Sequence, residues 1–336
     1  MTATPSARRE HDLLAPRTFG RTGRAVSAIG LGTYHLTSDR GVAHDEALDI
    51  VRAAYDSGIN VFDTAPMYGV GEAEFILATA LGGDLLERVV TIDKIGRFEK
   101  SILARLGERC YTDPAAMTAQ LEHSLRVLGV RRLPVLLPHE TDWTEWWPDG
   151  VTESAPVLRF LAEASQRDLV GHAGLSVRKP EQAVTLAGTG LFDVALYVHY
   201  FNMVWADTGA PAIQAFTEQR MGVAVGAPYR QGLLTSLDPD LPRRLSAERR
   251  ASVPPGVVRR IEGAQRIARE AGLSMVEMGL RWLLGDPRVH TVVVGPRSAR
   301  ELKENVAWAA QGPLPADVTA ALAALTAIEP GSWERG

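Results

Sequence analysis

The chain has 336 residues but only one cysteine, Cys110. A single thiol forms no internal disulfide, and it excludes a cysteine-rich zinc or iron–sulfur site. Such sparse use of cysteine is typical of proteins in reducing compartments, so we expect this protein to be cytoplasmic.

Long apolar runs are also missing. No uninterrupted apolar stretch is long enough to span a bilayer, and the opening residues, MTATPSARREHDLLAPR, lack the apolar segment of a signal peptide. We therefore expect no membrane partner. We expect residues 1–16 to form a flexible tail and residues 17–336 to fold as one domain, because no low-complexity linker divides the chain.

An excess of one charge and two common motifs are absent as well. The formal net charge is −4 and acidic and basic residues are mixed, so the sequence has no basic stripe for a nucleic-acid partner. GLGTYH (30–35) lacks the third glycine of a dinucleotide-binding fingerprint. GLSVR (174–178) departs from the GxSxG nucleophile elbow of the α/β hydrolases.

What the sequence does contain is a regular alternation of short apolar runs with longer segments of helical periodicity. Continuous apolar, β-branched strands between helices indicate a parallel sheet that is buried on both faces. Eight such pairs predict a (β/α)₈ barrel, with a doubly wound sheet as the structural alternative. The predicted strands are AIGLGT (28–33), INVFDT (59–64), RVVTIDK (88–94), LPVLLPH (133–139), LVGHAGLS (169–176), FDVALYV (192–198), GVAVGAP (222–228) and HTVVVG (290–295).

Segments between these runs carry helix start signals. The segment DEALDIVRAAYDSG (45–58) is a plausible helix between the first two predicted strands. Asp113 is a predicted N-cap with Pro114 at the first helical position, and Ser274 with Glu277 matches a capping box. Residues 144–156 and 244–256 are predicted loops because of their Pro, Gly and Ser content.

Four titratable residues fall at or just after the ends of three consecutive predicted strands: Asp63, Tyr68, Lys94 and His139. The carboxyl ends of barrel strands carry the chemistry, so we expect these side chains at one rim. Each alone has an ordinary explanation, such as a turn cap, a solvated lysine or a satisfied core histidine. Their joint placement favours a catalytic site.

These four residues suit protonation of an oxygen. An ammonium group near a tyrosine lowers its pKa from the reference value of about 10; Lys94 would supply that group, and Asp63 would keep Lys94 charged. His139 would hydrogen-bond the same substrate oxygen as Tyr68. A carbonyl oxygen gains negative charge when hydride reaches its carbon, and no side chain donates hydride, so a nicotinamide cofactor is required.

The segments that hold these residues resemble the aldo-keto reductase family. The matching pieces occur in the order of the family and extend from about residue 17 to residue 308. The resemblance implies an eight-stranded barrel that binds NAD(P)H in extended form, with the same four residues as its catalytic tetrad and Tyr68 as general acid. FDVALYVHYFN and APYRQGLLT look closest to the aldose and galactose dehydrogenase branch. The matching pieces are RTFGRTGRAVSAIGLGTYHL, GINVFDTAPMYGVGEAE, VVTIDKIG, VLLPHE and VVVGPRSARELKENVAW.

The helix predicted after the last strand carries a phosphate-binding signal. Ser298 and Glu301 match a capping box, and barrels often bind phosphate at a helix N-terminus in this place. Arg297 precedes the helix and is suited to clamp a 2′-phosphate, which predicts NADP(H) in preference to NAD(H), a preference that the acid at Glu301 weakens. The alternative is a solvated arginine beside an ordinary helix cap.

The resemblance implies further cofactor contacts and two departures. Val177 stands where many relatives have an asparagine that holds the nicotinamide amide, and Gly226 where many have a tyrosine that stacks on the ring. Tyr197 is the residue expected to compensate. The implied cofactor contacts are Gly32, Thr33, Asp63, Ser176, Tyr197, Pro228, Gly232, Leu233, Arg297, Ser298, Glu301, Glu304 and Asn305.

Aromatic residues after two predicted strands are candidates to line the substrate pocket: Tyr34, Trp143, Trp146 and Trp147. Aromatic walls suit sugars and flat rings alike, although each tryptophan has packing of its own loop as an equal alternative. The sequence thus predicts an NAD(P)H-dependent oxidoreductase that interconverts an alcohol with an aldehyde, ketone or sugar carbonyl. It leaves open whether the protein is a monomer or a homo-oligomer.

Two alternative functions remain open at this stage. One is a cofactor-sensing regulatory subunit of the same fold with little turnover. The other is a metal-dependent barrel hydrolase that uses His139, Glu140 and Asp142, with His172 and His199 on later strands. The spacing of these histidines matches no hydrolase motif, so we predict no metal site.

Overall fold

The computed structural model describes residues 15–97, 107–241, 244 and 253–330 of the chain. Most of the predicted tail, residues 1–14, and much of the predicted loop 244–256 lie outside the described residues. Within the part that is described, no helix is both long and apolar enough to cross a lipid bilayer.

Eight parallel strands close into a barrel, which confirms the predicted fold and all eight predicted strands. The last barrel strand pairs with the first through Val292 and Ile29, so the sheet has no open edge and the doubly wound alternative is wrong. In chain order the strands are β1 (Arg17–Thr18), β2 (Ala25–Val26), β3 (Ile29–Gly32), β4 (Val61–Asp63), β5 (Val90–Ile95), β6 (Leu133–Pro138), β7 (Val170–Val177), β8 (Val194–Val198), β9 (Gly222–Gly226) and β10 (Thr291–Val294), of which β3 to β10 form the barrel.

Helices cover the outside of the barrel, and the predicted start signals hold. The Asp113 side chain accepts a hydrogen bond from the Ala115 amide, and the Ser274 side chain accepts one from the Glu277 amide. The helices are α1 (His44–Asp56), α2 (Glu72–Leu81), α3 (Gly83–Leu86), α4 (Pro114–Leu128), α5 (Pro156–Gln166), α6 (Pro180–Gly188), α7 (Ala206–Glu218), α8 (Pro255–Ala271), α9 (Met275–Leu284), α10 (Ala299–Ala309) and α11 (Ala316–Ala324).

The short antiparallel hairpin of β1 and β2 precedes the barrel and was not predicted. Between its strands, Phe19 is fully buried and packs with the side chains that fill the barrel interior. A Cβ at Gly222 would lie 2.7 Å from the Phe19 ring, so only glycine admits the ring at the start of β9. The hairpin therefore closes the amino-terminal end of the barrel and leaves the opposite rim for chemistry.

Alternate residues of each strand face inwards. The interior contains Val90 and Ile92 of β5 and Val194 and Leu196 of β8, whereas Ala195 and Tyr197 of β8 belong to the layer between sheet and helices. This alternation decides which side chains at the carboxyl ends of the strands enter the site.

Candidate active site

An ion pair lies at the carboxyl ends of β4 and β5. The Lys94 ammonium group is 2.5 Å from Asp63 Oδ1 and donates a second hydrogen bond of 2.7 Å to the Thr64 carbonyl oxygen. Both charged side chains are almost fully buried. Burial lowers the pKa of Lys94, but the nearby Asp63 carboxylate and Tyr68 outweigh this and leave the pKa above its ordinary value. The lysine therefore stays charged.

The end of β3 fixes the position of Asp63. The Thr33 amide donates to the Asp63 carbonyl oxygen at 2.9 Å, and the Thr33 hydroxyl donates to the same oxygen at 3.0 Å. Thr33 thereby acts on the backbone of the acid, and its hydroxyl is already used within the protein.

Tyr68 lies beside this ion pair, as predicted, with the Lys94 ammonium group 4.9 Å from the centre of its ring. The predicted fall in its pKa is not what the structure gives. Burial raises the pKa of Tyr68 to about 12, because desolvation outweighs the attraction of Lys94 for a phenolate. Tyr68 is therefore held in its protonated form, the form that donates a proton.

His139 completes the group from the end of β6. Its amide donates to the Ile95 carbonyl oxygen at 2.7 Å, and its ring meets the Tyr68 ring edge to face with the centres 5.8 Å apart. Burial and the cations Lys94, Arg97 and Arg178 lower the pKa of His139 well below its ordinary value. The ring is therefore neutral, and its buried Nδ1 has no hydrogen-bond partner among the described residues.

The amino end of α10 has the predicted cap and an exposed cation. The Ser298 side chain accepts a hydrogen bond from the Glu301 amide at 3.2 Å, and the Glu301 carboxylate accepts one from the Arg297 amide at 2.8 Å. The Arg297 guanidinium is exposed, and no described residue pairs with it. Further along α10, Glu304 accepts from Arg300.

Residues of the later strands occupy two different faces. Gly226 faces the interior, since a Cβ there would lie 3.1 Å from the Leu196 side chain. Tyr197 lies on the outer face of β8, where its ring meets Phe216 of α7 edge to face at 5.7 Å. The expected contact of Tyr197 with the nicotinamide ring therefore does not fit its position. The alternation of apolar residues in VALYV already pointed to this, because Val194 and Leu196 face inwards.

Five more of the expected cofactor residues lie along the rim, and a sixth lies on α10. Ser176 is buried at the end of β7, where its amide donates to the Thr141 hydroxyl at 2.9 Å. Gly32 ends β3 on the interior face, where a Cβ would lie 3.0 Å from the Val293 side chain.

Pro228 and Leu233 are buried beyond β9, and Gly232 between them has a φ of 91°. Asn305 is buried on α10 and its Oδ1 has no partner among the described residues.

The aromatic pocket candidates divide into two groups. The Tyr34 ring meets the Tyr68 ring at 5.1 Å, and the Trp143 ring lies 5.0 Å from the Arg97 guanidinium.

Trp146 is fully buried and donates its indole N–H to the His139 carbonyl oxygen at 3.1 Å. Trp147 donates to the Thr141 carbonyl oxygen at 2.7 Å. The Trp146 side chain therefore stabilises the segment after β6 from inside the protein and does not line a pocket.

Sequence reasoning named Glu140 as a possible metal ligand but missed the charged group that it forms with two arginines at the same rim. Glu140 directly follows His139 and lies between the guanidinium groups of Arg97 and Arg178. These residues follow three different strands, and no spacing in the sequence joins them. The signal that was available is their position, because each lies one or two residues beyond a strand end.

The histidines of the hydrolase hypothesis are not brought together. His172 lies in the first half of β7 and pairs with Asp193 at 3.1 Å. Among the described residues, no group of three His, Cys, Asp or Glu side chains is arranged to hold a metal ion.

The structure thus combines a closed (β/α)₈ barrel with a buried lysine, acid, tyrosine and neutral histidine at one rim, a set of groups that is chemically able to transfer a proton to oxygen. The model of the Aldo/keto reductase family matches residues 28–327. The chain therefore belongs to the aldo-keto reductase family. Members of this family use nicotinamide cofactors, usually NADPH, and the chain is an oxidoreductase.

Curated relatives and a solved structure agree with this assignment. L-galactose dehydrogenase of Arabidopsis thaliana is 28% identical over 295 residues, which cover 87% of this chain and 86% of that protein. L-glyceraldehyde 3-phosphate reductase of Escherichia coli (strain K12) is 25% identical over 315 residues, which cover 86% of each. An aldo-keto reductase from Bacillus halodurans in its holo form superposes with a TM-score of 0.71 at 20% identity, over 96% of this chain and 99% of that one, and so shares the fold.

Proposed function

We propose that this protein interconverts a carbonyl and an alcohol with a nicotinamide nucleotide, and that Tyr68 is the general acid. The observation that carries the proposal is the buried cluster of Asp63, Tyr68, Lys94 and His139, in which every charge is paired or suppressed. Tyr68 is protonated, Lys94 is charged and His139 is neutral. That combination donates a proton to one oxygen and stabilises the charge that forms on it.

The residues present fit a nicotinamide nucleotide. Gly226 and Gly32 add no side chain of their own to the interior face of the rim, and Asn305 offers a buried amide oxygen without a partner among the described residues. The helix N-terminus at Ser298 and the exposed Arg297 suit a phosphate. We propose that the cofactor is held, without Tyr197, by Gly32, Ser176, Pro228, Gly232, Leu233, Arg297, Ser298, Glu301, Glu304 and Asn305.

When bound, the cofactor supplies the hydride that no side chain can supply. Tyr68 gives its proton to the carbonyl oxygen. Before the reaction, burial outweighs the attraction of Lys94 and keeps Tyr68 protonated. When the proton leaves, the Lys94 ammonium group stabilises the phenolate that forms on Tyr68. His139 is neutral and donates a hydrogen bond from one ring nitrogen to the same oxygen, which orients the carbonyl towards Tyr68.

We further propose that NADP(H) is preferred over NAD(H). The exposed Arg297 guanidinium is suited to a phosphate dianion, whereas a hydroxyl needs no cation. Glu301 lies close to the Arg297 backbone and lowers the margin of this preference. We expect Arg297→Gln to weaken NADPH binding about tenfold and NADH binding much less, since a hydrogen bond to a charged group is worth about 1.5–3 kcal/mol.

The experiment that tests this function follows tryptophan fluorescence during titration with NADPH and with NADH. Consumption of the bound nucleotide is then measured on addition of aldehydes, aldoses and ketones. Binding followed by consumption supports an aldo-keto reductase that acts on such a carbonyl. Binding without consumption by any compound would instead favour the cofactor-sensing regulatory subunit, and no binding of either nucleotide would contradict the proposal.

A further inference from the structure

The rim carries a buried carboxylate between two arginines. Glu140 is nearly buried, its Oε2 accepts from Arg97 Nε, and its Oε1 is 2.9 Å from a terminal nitrogen of Arg178. About a third of each arginine side chain is exposed. Each arginine side chain therefore contacts Glu140 and is still partly open to solvent.

One carboxylate does not balance two guanidinium groups. No second carboxylate lies within ion-pair distance of Arg97 or Arg178 in the described part of the chain. Each guanidinium has five N–H donors, and among the described residues the only polar contact of either one beyond Glu140 is between Arg97 and the Met67 sulfur at 3.7 Å. Among described residues the group thus keeps one net positive charge and several N–H donors that lack a partner.

The backbone at this group is held in an uncommon conformation. Arg97 has a φ of 50° and Glu140 has a φ of 54°. Both values lie in the left-handed region, which residues other than glycine rarely adopt. Conformations of this kind persist only where their surroundings impose them, and they concentrate at functional sites. The ion pair of Arg97 with Glu140 and the stacking of Arg97 on Trp143 are such surroundings.

The group lies beside the reacting residues. The Arg97 guanidinium contacts the sulfur of Met67, the residue before Tyr68. It also lies beside the ring of Trp143, four residues after His139. Arg97 and Arg178 are both close enough to His139 to lower its pKa. A molecule bound at Tyr68 and His139 is therefore within the field of an unbalanced positive charge.

We infer that Arg97 and Arg178 bind an anionic group, a carboxylate or a phosphate, of the carbonyl substrate, and that Glu140 positions the two guanidinium groups. Planar guanidinium groups match the oxygens of both anions. This inference rests on the proposed function and names the substrate class: carbonyl compounds that carry an acidic group.

The test compares matched substrates at saturating NADPH. 4-Carboxybenzaldehyde and benzaldehyde differ by one carboxylate, and glyceraldehyde 3-phosphate and glyceraldehyde differ by one phosphate. We expect higher kcat/KM for the anionic member of at least one pair, and the pair that shows it identifies the anion. Added salt should lower kcat/KM for the anionic member only, since screening acts on charge.

Variants identify the residues. Arg97→Gln and Arg178→Gln should each lower kcat/KM for the anionic substrate about tenfold or more, and for the neutral one less than about twofold, because a hydrogen bond to a charged group is lost. Arg97→Lys should retain part of the preference, because it keeps the charge but not the planar donors. Arg159→Gln, an exposed position on α5, is the control with the same change in net charge.

The outcomes separate the two proposals. Equal turnover of charged and neutral aldehydes, or equal loss of both in Arg97→Gln and Arg178→Gln, would mean that the arginines only hold Glu140, and it would overturn this inference while the reductase function stands. Absence of turnover on all four compounds, together with the wider carbonyl panel, would overturn the proposed function itself. Binding of NADPH, measured by fluorescence, should be unchanged in both glutamine variants.

Discussion

At the scale of single residues, the site depends on Lys94 being charged in a place with almost no water. Its charge is supported by Asp63 at 2.5 Å and by the Thr64 carbonyl oxygen. The sequence allowed this pair to be predicted because both residues lie at the ends of neighbouring strands. The net direction of the Tyr68 pKa shift was not predictable, because it depends on how completely the barrel and its loops exclude water from the ring.

We expect Lys94→Met to abolish turnover and to lower the free energy of unfolding by about 3–5 kcal/mol, because Asp63 is left buried without its cation. The double variant Lys94→Met with Asp63→Asn should be more stable than Lys94→Met alone, since it no longer buries an unpaired Asp63 carboxylate. Urea unfolding at neutral pH measures both. Equal stability of the single and double variants would contradict the expected destabilisation by an Asp63 carboxylate that has lost its cation.

At the scale of elements, α2, α4 and β5 enclose a second pair of acids behind the site. Glu74 of α2 and Asp93 of β5 are fully buried, and Glu74 lies against Asp93 and Ser124 of α4. The Glu74 carboxyl group is close enough to Ser124 and to Asp93 for side-chain hydrogen bonds. Burial, followed by repulsion from Asp93, raises the pKa of Glu74 to about 9, so Glu74 holds a proton at neutral pH.

This pair makes stability depend on pH. An acid whose pKa is raised on folding contributes stability that is complete below its ordinary pKa of 4.5 and is lost as the pH rises to about 9. We expect the thermal midpoint to fall from pH 6 to pH 9, and to fall less in Glu74→Gln, whose amide keeps a donor towards Asp93. Parallel curves for the two proteins would show that Glu74 is not the group responsible.

Strand alternation explains which element-level predictions succeeded. The apolar runs located every barrel strand, and strand ends located the four catalytic candidates. Lys94 faces inwards, so Asp93 must face the helices, and Val194 and Leu196 face inwards, so Tyr197 must face Phe216. The burial of Trp146 depends instead on a contact between loops, because a Cβ at Gly96 would lie 2.3 Å from the Trp146 ring. Strand periodicity does not predict a contact of this kind.

At the scale of the whole molecule, the hairpin closes one end of the barrel, and the candidate active site lies at the other end. Phe19 of the unpredicted hairpin fills the amino-terminal end, while Lys94, Tyr68 and His139 occupy the carboxyl end. This division predicts that stability and activity respond to different substitutions.

We expect Phe19→Ala to lower the free energy of unfolding by about 3–5 kcal/mol, the usual result of removing a buried phenylalanine ring. Below the unfolding transition, kcat should change less than about twofold, because the hairpin is remote from the catalytic rim. Phe75→Ala, which removes the same ring from a side chain that is 55% exposed, is the matched control and should cost about 0.5 kcal/mol or less. A loss of kcat in folded Phe19→Ala protein would contradict the division.

The central claim is that Tyr68 donates the proton in a nicotinamide-dependent carbonyl reduction. The most direct measurement is Tyr68→Phe, assayed for NADPH binding by tryptophan fluorescence and for kcat with the best carbonyl substrate of the panel. We predict unchanged NADPH affinity within about twofold and a fall in kcat of about 100- to 10,000-fold, the usual contribution of a general acid. Retained turnover would contradict the role of Tyr68, and an equal loss of NADPH affinity would show that the residue supports the site without donating the proton.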